Sequence, residues 1–282
     1  MSDLATCRAV VFAGLPATEL QLPCGDRLVV AQHGAHVLSW MAAGRERLYL
    51  SPKSIMDGQA AIRGGIPVCF PQFNMRGELP KHGFARHLPW TVSPARLGAE
   101  AVHLVLSLND SAATRQWWPQ AFEARLMVEL QPGALQVELA VRNTDTKPLD
   151  FTGALHTYLA VDDIDLTDLQ GLGLRPEWDA VADVHGVADA ALYFDGEFDR
   201  VYDAAPQPLT LQDGSSTLQI EQSPSWGQSV VWNPGAEKCA TLPDMPADGF
   251  AHMLCVEAAQ VFEPISIPAG GHWVGWQRLT VS

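Results

Sequence analysis

The sequence lacks paired cysteines, an excess of basic residues and a long apolar run. Its five cysteines are scattered and none forms a C-x-x-C pair, which disfavours both a disulfide framework and a zinc knuckle. Lys and Arg together number 18 against 32 Asp and Glu, a net charge of −14. Nucleic acid and anionic lipid surfaces repel such a chain, so we expect neither as a partner. The charge-free stretch 28–44 is shorter than the roughly 20 apolar residues of a membrane helix, and no span is predicted.

Motifs for nucleotide binding and serine hydrolysis are also missing. There is no G-x-x-x-x-G-K loop and no G-x-S-x-G elbow, and the segment 171–173 runs into Pro176 where a dinucleotide loop needs glycine. His33 and His36 have no carboxylate or cysteine nearby to complete a metal set, so we expect two partly exposed histidines at a strand end and no metal. The first residues show no basic, cleavable leader, and a cytoplasmic location is the expectation.

Alternation of apolar and polar residues dominates what is present. Residues 122–130 and 135–141 alternate with period two, and Pro132-Gly133 supplies a turn between them, which predicts a β-hairpin. Similar short segments, separated by Pro and Gly, recur at 28–31, 101–108, 149–161, 217–221, 228–232, 252–261 and 273–281. Helical signals are confined to one or two turns at 111–116 and a weak, Ala-rich stretch at 180–192. We therefore predict an all-β sandwich in which residues 1–282 form a single domain.

The long loop 51–89 concentrates basic residues and glycines. Arg63, Lys81 and Arg86 supply donors suited to an oxyanion such as phosphate, and the glycines between them let the backbone approach a ligand closely. Loops of this length are uncommon unless they are functional. The alternative is that the two arginines only pair with some of the many acidic residues.

Two titratable residues lie inside apolar strands. His156 is either a satisfied core histidine or a general acid aimed into a cleft. Glu257 follows a near-continuous apolar run, where desolvation raises the pKa of a carboxyl group. The alternative for Glu257 is a buried ion pair with one of the arginines.

Six motifs in a fixed order carry a resemblance to a known family. They are R-G-G-I-P (63–67), H-G-F-A-R (82–86), L-H-T-Y (155–158), D-R-V-Y (199–202), V-W-N-P (231–234) and C-V-E (255–257). Together with the C-terminal segment 264–281, they extend across nearly the whole chain. On these residues the sequence resembles the glucose-6-phosphate 1-epimerase (hexose-6-phosphate mutarotase) branch of the aldose 1-epimerase family.

The resemblance implies a galactose-mutarotase-like β-supersandwich. It also implies an isomerase that interconverts the α and β anomers of a hexose 6-phosphate, glucose 6-phosphate above all, without cofactor or metal. His156 of the L-H-T-Y motif would be the general acid at the ring oxygen, and Glu257 of the C-V-E motif would be the base at the anomeric hydroxyl. A monomer is expected.

The resemblance further implies the residues that hold the substrate. Arg63, Lys81 and Arg86 would bind it, Asp199 would hold sugar hydroxyls, and His82 would assist near the ring oxygen. The family usually has Gln at the position of Lys81, so this chain departs from the pattern at the substrate itself.

Two functions from other classes remain open at this point. A glycoside hydrolase would need two carboxylates roughly 5 to 9.5 Å apart, for which Glu257 and Asp199 are candidates, although a histidine acid is atypical there. A non-catalytic carbohydrate-binding module could use the nine Trp residues as stacking platforms. It would not need both His156 and Glu257 in apolar strands.

Overall fold

The computed structural model describes residues 4–98, 100–214 and 216–282. Within these ranges the chain forms 22 strands, which are β1 (Thr6–Phe12), β2 (Leu15–Gln21), β3 (Arg27–Ala31), β4 (Val37–Ala42), β5 (Arg45–Glu46), β6 (Val68–Cys69), β7 (Thr91–Val92), β8 (Arg96–Leu97), β9 (Val102–Asn109), β10 (Phe122–Gln131), β11 (Ala134–Asn143), β12 (Leu149–Leu155), β13 (Tyr158–Ala160), β14 (Thr167–Gln170), β15 (Pro176–Asp179), β16 (Val184–Val187), β17 (Phe198–Asp203), β18 (Leu209–Asp213), β19 (Ser216–Gln222), β20 (Gln228–Asn233), β21 (Met253–Ile267) and β22 (His272–Val281). The helical segments are α1 (Ala112–Trp117), α2 (Gly235–Cys239) and 3-10 turns at Ala85–His87, Ile164–Leu166 and Gly249–His252. None of the helices in the described ranges is long and apolar enough to cross a membrane.

The strands form three antiparallel sheets. A five-stranded sheet follows chain order from β1 to β5. A nine-stranded sheet has the order β14-β18-β19-β22-β11-β10-β9-β7, with β8 also pairing with β9. An eight-stranded sheet has the order β16-β15-β17-β20-β21-β12-β6, with β13 also pairing with β21. The predicted all-β architecture is confirmed.

The hydrophobic core lies between the two larger sheets. In the predicted hairpin, Leu126 of β10 pairs directly with Leu139 of β11, and both are fully buried. They belong to one continuous core cluster with Leu155 of β12 and Val256 of β21. One face of each large sheet is therefore covered, which is why the strands alternate with period two.

A buried polar link joins the two large sheets behind the motifs singled out in the sequence. Gln277 of β22 is buried, and it accepts a hydrogen bond of 2.5 Å from the Thr157 hydroxyl. Its amide nitrogen donates to the Val256 carbonyl at 3.0 Å. Gln277 thus holds the chain neighbours of His156 and Glu257 in one position.

Some local expectations change in the structure. The one or two helical turns predicted at 111–116 are present as α1, which Ser111 caps, whereas the Ala-rich stretch 180–192 contains strand β16 and no helix. The expectation of partly exposed histidines was wrong, because His33 and His36 are buried. His36 Nε2 lies 2.7 Å from the Gly64 carbonyl, so loop 51–89 covers a strand end that the sequence alone leaves open.

We predict that Gln277→Leu destabilises the fold by about 1–3 kcal/mol, because it leaves the Thr157 hydroxyl and the Val256 carbonyl buried without their partner. Urea unfolding measures the change. Gln136→Leu is the matched control, since Gln136 is half-buried on the neighbouring strand β11, and it should change stability by less than about 0.5 kcal/mol. Equal effects of the two substitutions would contradict a structural role for the Gln277 link.

Candidate active site

Strand register brings His156, in the gap between β12 and β13, face to face with Glu257 of β21. Leu155 lies opposite Ala258 where β12 pairs with β21, and Tyr158 lies opposite Cys255 where β13 pairs with the same strand. The same register places His156 directly opposite Glu257. His156 Nε2 is 3.3 Å from Glu257 Oε1, as expected for directly opposed side chains on one face.

A cavity of about 420 Å³ opens on this pair. All seven side chains predicted from the sequence line it, namely Arg63, Lys81, His82, Arg86, His156, Asp199 and Glu257. The other lining residues include Phe73, Asn74, Tyr158, Glu197, Trp232, Lys238 and Asp244. The two sides of the cavity come from loop 51–89 and from the segment around α2, so it is open toward solvent between them.

The cavity floor is one face of the eight-stranded sheet. Side chains two residues apart on a strand share a face, so Tyr158 lies on the same side as His156. The two rings stack at 4.8 Å with an interplanar angle of 10°. In the next row across the sheet, Tyr158 is followed by Cys255, Trp232 and then Asp199. Asp199 therefore reaches the cavity two strands away from Glu257.

The R-G-G-I-P segment lies against the floor because of its two glycines. A Cβ at Gly64 would lie 2.3 Å from the Tyr49 carbonyl oxygen, and one at Gly65 would lie 2.1 Å from that of Val37. Both glycines also have positive φ, at 112° and 64°. The close approach allows the His156 amide to donate to the Pro67 carbonyl at 3.1 Å.

Arg63, which precedes these glycines, is held by a carboxylate. Its Nε and Nη2 donate to the two oxygens of Asp244 at 3.2 and 3.3 Å, and its Nη1 donates to the Tyr158 hydroxyl at 3.1 Å. The alternative that Arg63 pairs with an acidic residue is therefore correct as to contact. Because it still lines the cavity, the pair orients the guanidinium toward the cavity rather than removing it.

Arg86 and Lys81 differ from Arg63, since neither forms an ion pair with a carboxylate of the described chain. Arg86 Nη2 donates to the Lys81 carbonyl at 2.7 Å, while its Nε is buried without a hydrogen-bond partner in the described ranges. Two positive charges therefore face the cavity without a carboxylate in ion-pair contact among the described residues. An anion is the group that would satisfy them.

His82 has a fixed tautomer. The Asn74 amide donates to its Nδ1 at 3.2 Å, so Nδ1 is the acceptor and the proton of the neutral ring lies on Nε2. Buried Gln72 organises this loop by donating to the carbonyls of Asn74 and Leu79 at 2.9 Å. Gly83, which follows His82 in the chain, has no room for a side chain, because a Cβ there would lie 2.2 Å from the Phe70 carbonyl oxygen.

The electrostatics of the pair favour uncharged forms. Burial raises the pKa of Glu257 well above its ordinary value, with a further contribution from the charge of Asp199. Burial and the nearby cations Arg63 and Arg86 lower the pKa of His156. Glu257 Oε2 and His156 Nδ1 are buried and have no hydrogen-bond partner in the described ranges. A buried, unsatisfied pair beside a cavity is suited to exchanging protons with a ligand.

Several residues of the cavity are not singled out by the sequence analysis. Tyr158 and Trp232 lie within the motifs that carry the resemblance, but nothing in the alternation marks them. Lys238 lies in the short helix α2 and Asp244 in the irregular segment that follows it, and their approach to the cavity depends on how the chain folds back after β20. The described ranges contain no cluster of three or more His, Cys, Asp or Glu side chains that could hold a metal ion.

Asp199 titrates in an unusual range. Burial, followed by the charge of Glu197, raises its pKa from 3.8 to about 6. Because the folded pKa is the higher one, the penalty of the buried carboxylate is fully present above about pH 6 and disappears as the pH falls toward 4.

We therefore predict that Asp199→Asn stabilises the protein by about 1–3 kcal/mol at pH 8 and that this gain vanishes near pH 4. Urea unfolding across this pH range measures it. Asp150→Asn, at an exposed position, is the control and should show little gain at any pH. A gain from Asp199→Asn that did not depend on pH would contradict the assignment.

A family profile and a named relative match most of this chain. The aldose 1-epimerase family profile matches residues 17–280. A protein of Cenchrus ciliaris named "Putative glucose-6-phosphate 1-epimerase" is 35% identical over 263 residues, which cover 89% of this chain and 79% of the relative.

Solved structures extend the similarity to the whole fold. A crystal structure from Salmonella typhimurium, described as a putative mutarotase, is 29% identical with a TM-score of 0.89 and covers 100% of this chain and 95% of that one. A galactose mutarotase-like protein from Clostridium acetobutylicum, 12% identical, shares the fold with a TM-score of 0.78 over 100% of this chain and 99% of its own. The predicted galactose-mutarotase-like fold is confirmed. Since the profile covers nearly all strands of both large sheets and the residues of the cavity, this chain belongs to the aldose 1-epimerase family.

Proposed function

We propose that this protein interconverts the α and β anomers of a hexose 6-phosphate, with glucose 6-phosphate as the substrate to test first. The observation that carries the proposal is the buried His156–Glu257 pair, 3.3 Å apart, on the floor of a cavity that is also lined by Lys81 and Arg86, two cations that form no ion pair within the described residues. The pair supplies proton transfer, and the cations supply recognition of an anionic substituent. The family and the names of the relatives agree with both parts.

The reaction needs one proton removed and one delivered. Glu257 as carboxylate takes the proton of the C1 hydroxyl while protonated His156 donates to the ring oxygen, and the C1–O5 bond breaks to give the open-chain aldehyde. Rotation about C1–C2 then presents the other face of the aldehyde. In ring closure His156 takes the proton from the O5 hydroxyl and Glu257 returns one to the carbonyl oxygen, so that the pair recovers its starting form.

The remaining residues have proposed roles in binding. Arg86 and Lys81 receive the phosphate, and Arg63, oriented by Asp244, holds the substrate beside them. Asp199 accepts hydrogen bonds from sugar hydroxyls. His82 donates from Nε2 near the ring oxygen, in keeping with its fixed tautomer.

The rival functions have less support in the structure. A glycoside hydrolase would use Glu257 with a second carboxylate, yet its polar neighbour here is His156. A carbohydrate-binding module would have no use for two buried, unsatisfied proton-transfer groups at the cavity floor.

We also propose that the chain is a single domain, monomeric and cytoplasmic. A cytoplasmic location fits the five cysteines, all of which are free although three are buried, as is usual in a reducing compartment.

We predict that His156→Asn and Glu257→Gln each lower kcat by about 10²–10⁴-fold, because each removes one partner of the proton transfer. The measurement is the rate of anomer interconversion of glucose 6-phosphate above the spontaneous rate. Thermal unfolding should change little, since Glu257→Gln conserves shape and His156→Asn keeps a polar side chain at the wall of the cavity. Near-normal turnover in either variant would show that its residue has another role.

We predict that Arg86→Ala and Lys81→Gln weaken use of the phosphorylated sugar by about 10- to 150-fold in kcat/KM, because a hydrogen bond to a charged group contributes about 1.5–3 kcal/mol. The comparison is glucose 6-phosphate against glucose, and the loss on glucose should be much smaller. Rising salt should lower kcat/KM for glucose 6-phosphate more in the wild-type protein than in the Lys81→Gln variant, because salt screens the charge of Lys81. Equal losses on both sugars would mean that these side chains hold the hexose ring or the fold.

A further inference from the structure

A fourth cation lines the cavity and is paired with a carboxylate that also lines it. Lys238 Nζ lies 3.0 Å from Glu197 Oε1, and the exposed fractions of the two side chains are 46% and 25%. Lys238 projects from α2, whereas Glu197 immediately precedes β17. The pair therefore spans the cavity mouth on the side away from loop 51–89.

The two residues meet because a glycine begins α2. Gly235 has a φ of 62°, and a Cβ there would lie 2.4 Å from the Gly196 carbonyl carbon and 2.6 Å from the Glu197 amide nitrogen. Asn233 fixes the start of the helix, since its side chain accepts from the Gly235 amide at 2.8 Å and donates to the Met253 carbonyl at 2.8 Å. These backbone contacts thus hold the start of α2 against the segment before β17 and bring the two side chains within reach of each other.

Lys238 shares its surroundings with residues already placed in the site. Its charge acts on Lys81 together with those of Arg63 and Arg86, after partial desolvation, to lower the pKa of Lys81. The charges of Lys81 and Lys238 also both act to lower the pKa of Asp199, against the larger effect of burial. One anionic group at the mouth would therefore lie within the field of Lys81 and Lys238 together.

The Lys238 pair differs in kind from the Arg63 pair. Arg63 makes two hydrogen bonds to Asp244 and a third to Tyr158, so its orientation is fixed. Lys238 has a single, partly exposed contact with Glu197. An exposed ion pair of this kind is weak, and a doubly charged phosphate competes well against a single carboxylate.

We propose that Lys238 is a further phosphate-binding residue, occupied by Glu197 until substrate enters, and that Glu197 thereby sets the selectivity between phosphorylated and neutral sugars. This rests on the function proposed above. When the phosphate ester binds, the lysine exchanges its carboxylate for the phosphate, and Glu197 turns to solvent at the mouth. A neutral hexose offers no such exchange and leaves the ion pair intact.

Opposite effects of the two partners test the proposal. Kinetics with glucose 6-phosphate and with glucose are compared for Lys238→Met, Glu197→Gln and the double variant. Lys238→Met should lower kcat/KM for glucose 6-phosphate about 5- to 30-fold, with a smaller loss on glucose. Glu197→Gln should raise the same parameter about 2- to 10-fold, and the double variant should behave like Lys238→Met alone.

Two matched controls separate local contact from net charge. Lys147→Met changes the charge as Lys238→Met does, and Glu237→Gln changes it as Glu197→Gln does from the same helix as Lys238. Both control residues are exposed and lie outside the cavity. Controls that matched the effects of their counterparts would overturn the proposal, as would a Glu197→Gln variant that lost activity on both sugars.

Binding measurements keep this inference distinct from the proposed function. If the wild-type protein interconverts neither sugar, the proposed function fails, and titration calorimetry with glucose 6-phosphate and with inorganic phosphate still decides the role of Lys238. Weaker binding of both ligands to Lys238→Met, and tighter binding to Glu197→Gln, would support it. Unchanged dissociation constants in Lys238→Met would overturn it.

Discussion

His156, between β12 and β13, faces Glu257 of β21, and neither side chain has a further hydrogen-bond partner in the described chain. Their pKa shifts have opposite signs, and both favour the uncharged forms. In the proposed reaction, uncharged His156 beside protonated Glu257 is the state of the pair while the open-chain aldehyde is bound. Burial therefore favours the ring-opened stage of the cycle, which lowers the cost of reaching an intermediate that is unfavourable in water.

The functional side chains of loop 51–89 reach the site because the backbone of that loop lies close to the cavity floor, which is one face of the eight-stranded sheet. Gly64 and Gly65 bring Arg63 beside Tyr158, and Gly83 brings Arg86 and His82 over the opposite edge. The long loop is thus held by main-chain contacts that a side chain would block. Its functional groups are positioned by a rigid sheet although they lie outside regular structure, which is how a loop can preorganise donors for an anion.

The sequence predicts the parts of this arrangement that depend on local periodicity. The alternation at 122–130 and 135–141 gives the hairpin β10–β11, and the apolar setting of His156 and Glu257 indicates that they are special. The burial of His33 and His36 is not predictable in this way, because it depends on the path of a loop that starts nearly 20 residues later. The pairing of Arg63 with Asp244 is equally non-local, since about 180 residues separate the two. The path of loops between distant strands decides such contacts, and local periodicity in one sequence does not reveal that path.

The cavity concentrates positive charge in a chain whose net charge is −14. Four cations in one mouth repel one another, and a protein with 32 acidic residues can offset this locally. Two of the cations form ion pairs, Arg63 with Asp244 and Lys238 with Glu197. Lys81 and Arg86 keep their charge available. An anion that binds between these cations relieves the repulsion that remains, and this relief contributes to the affinity for a phosphate ester.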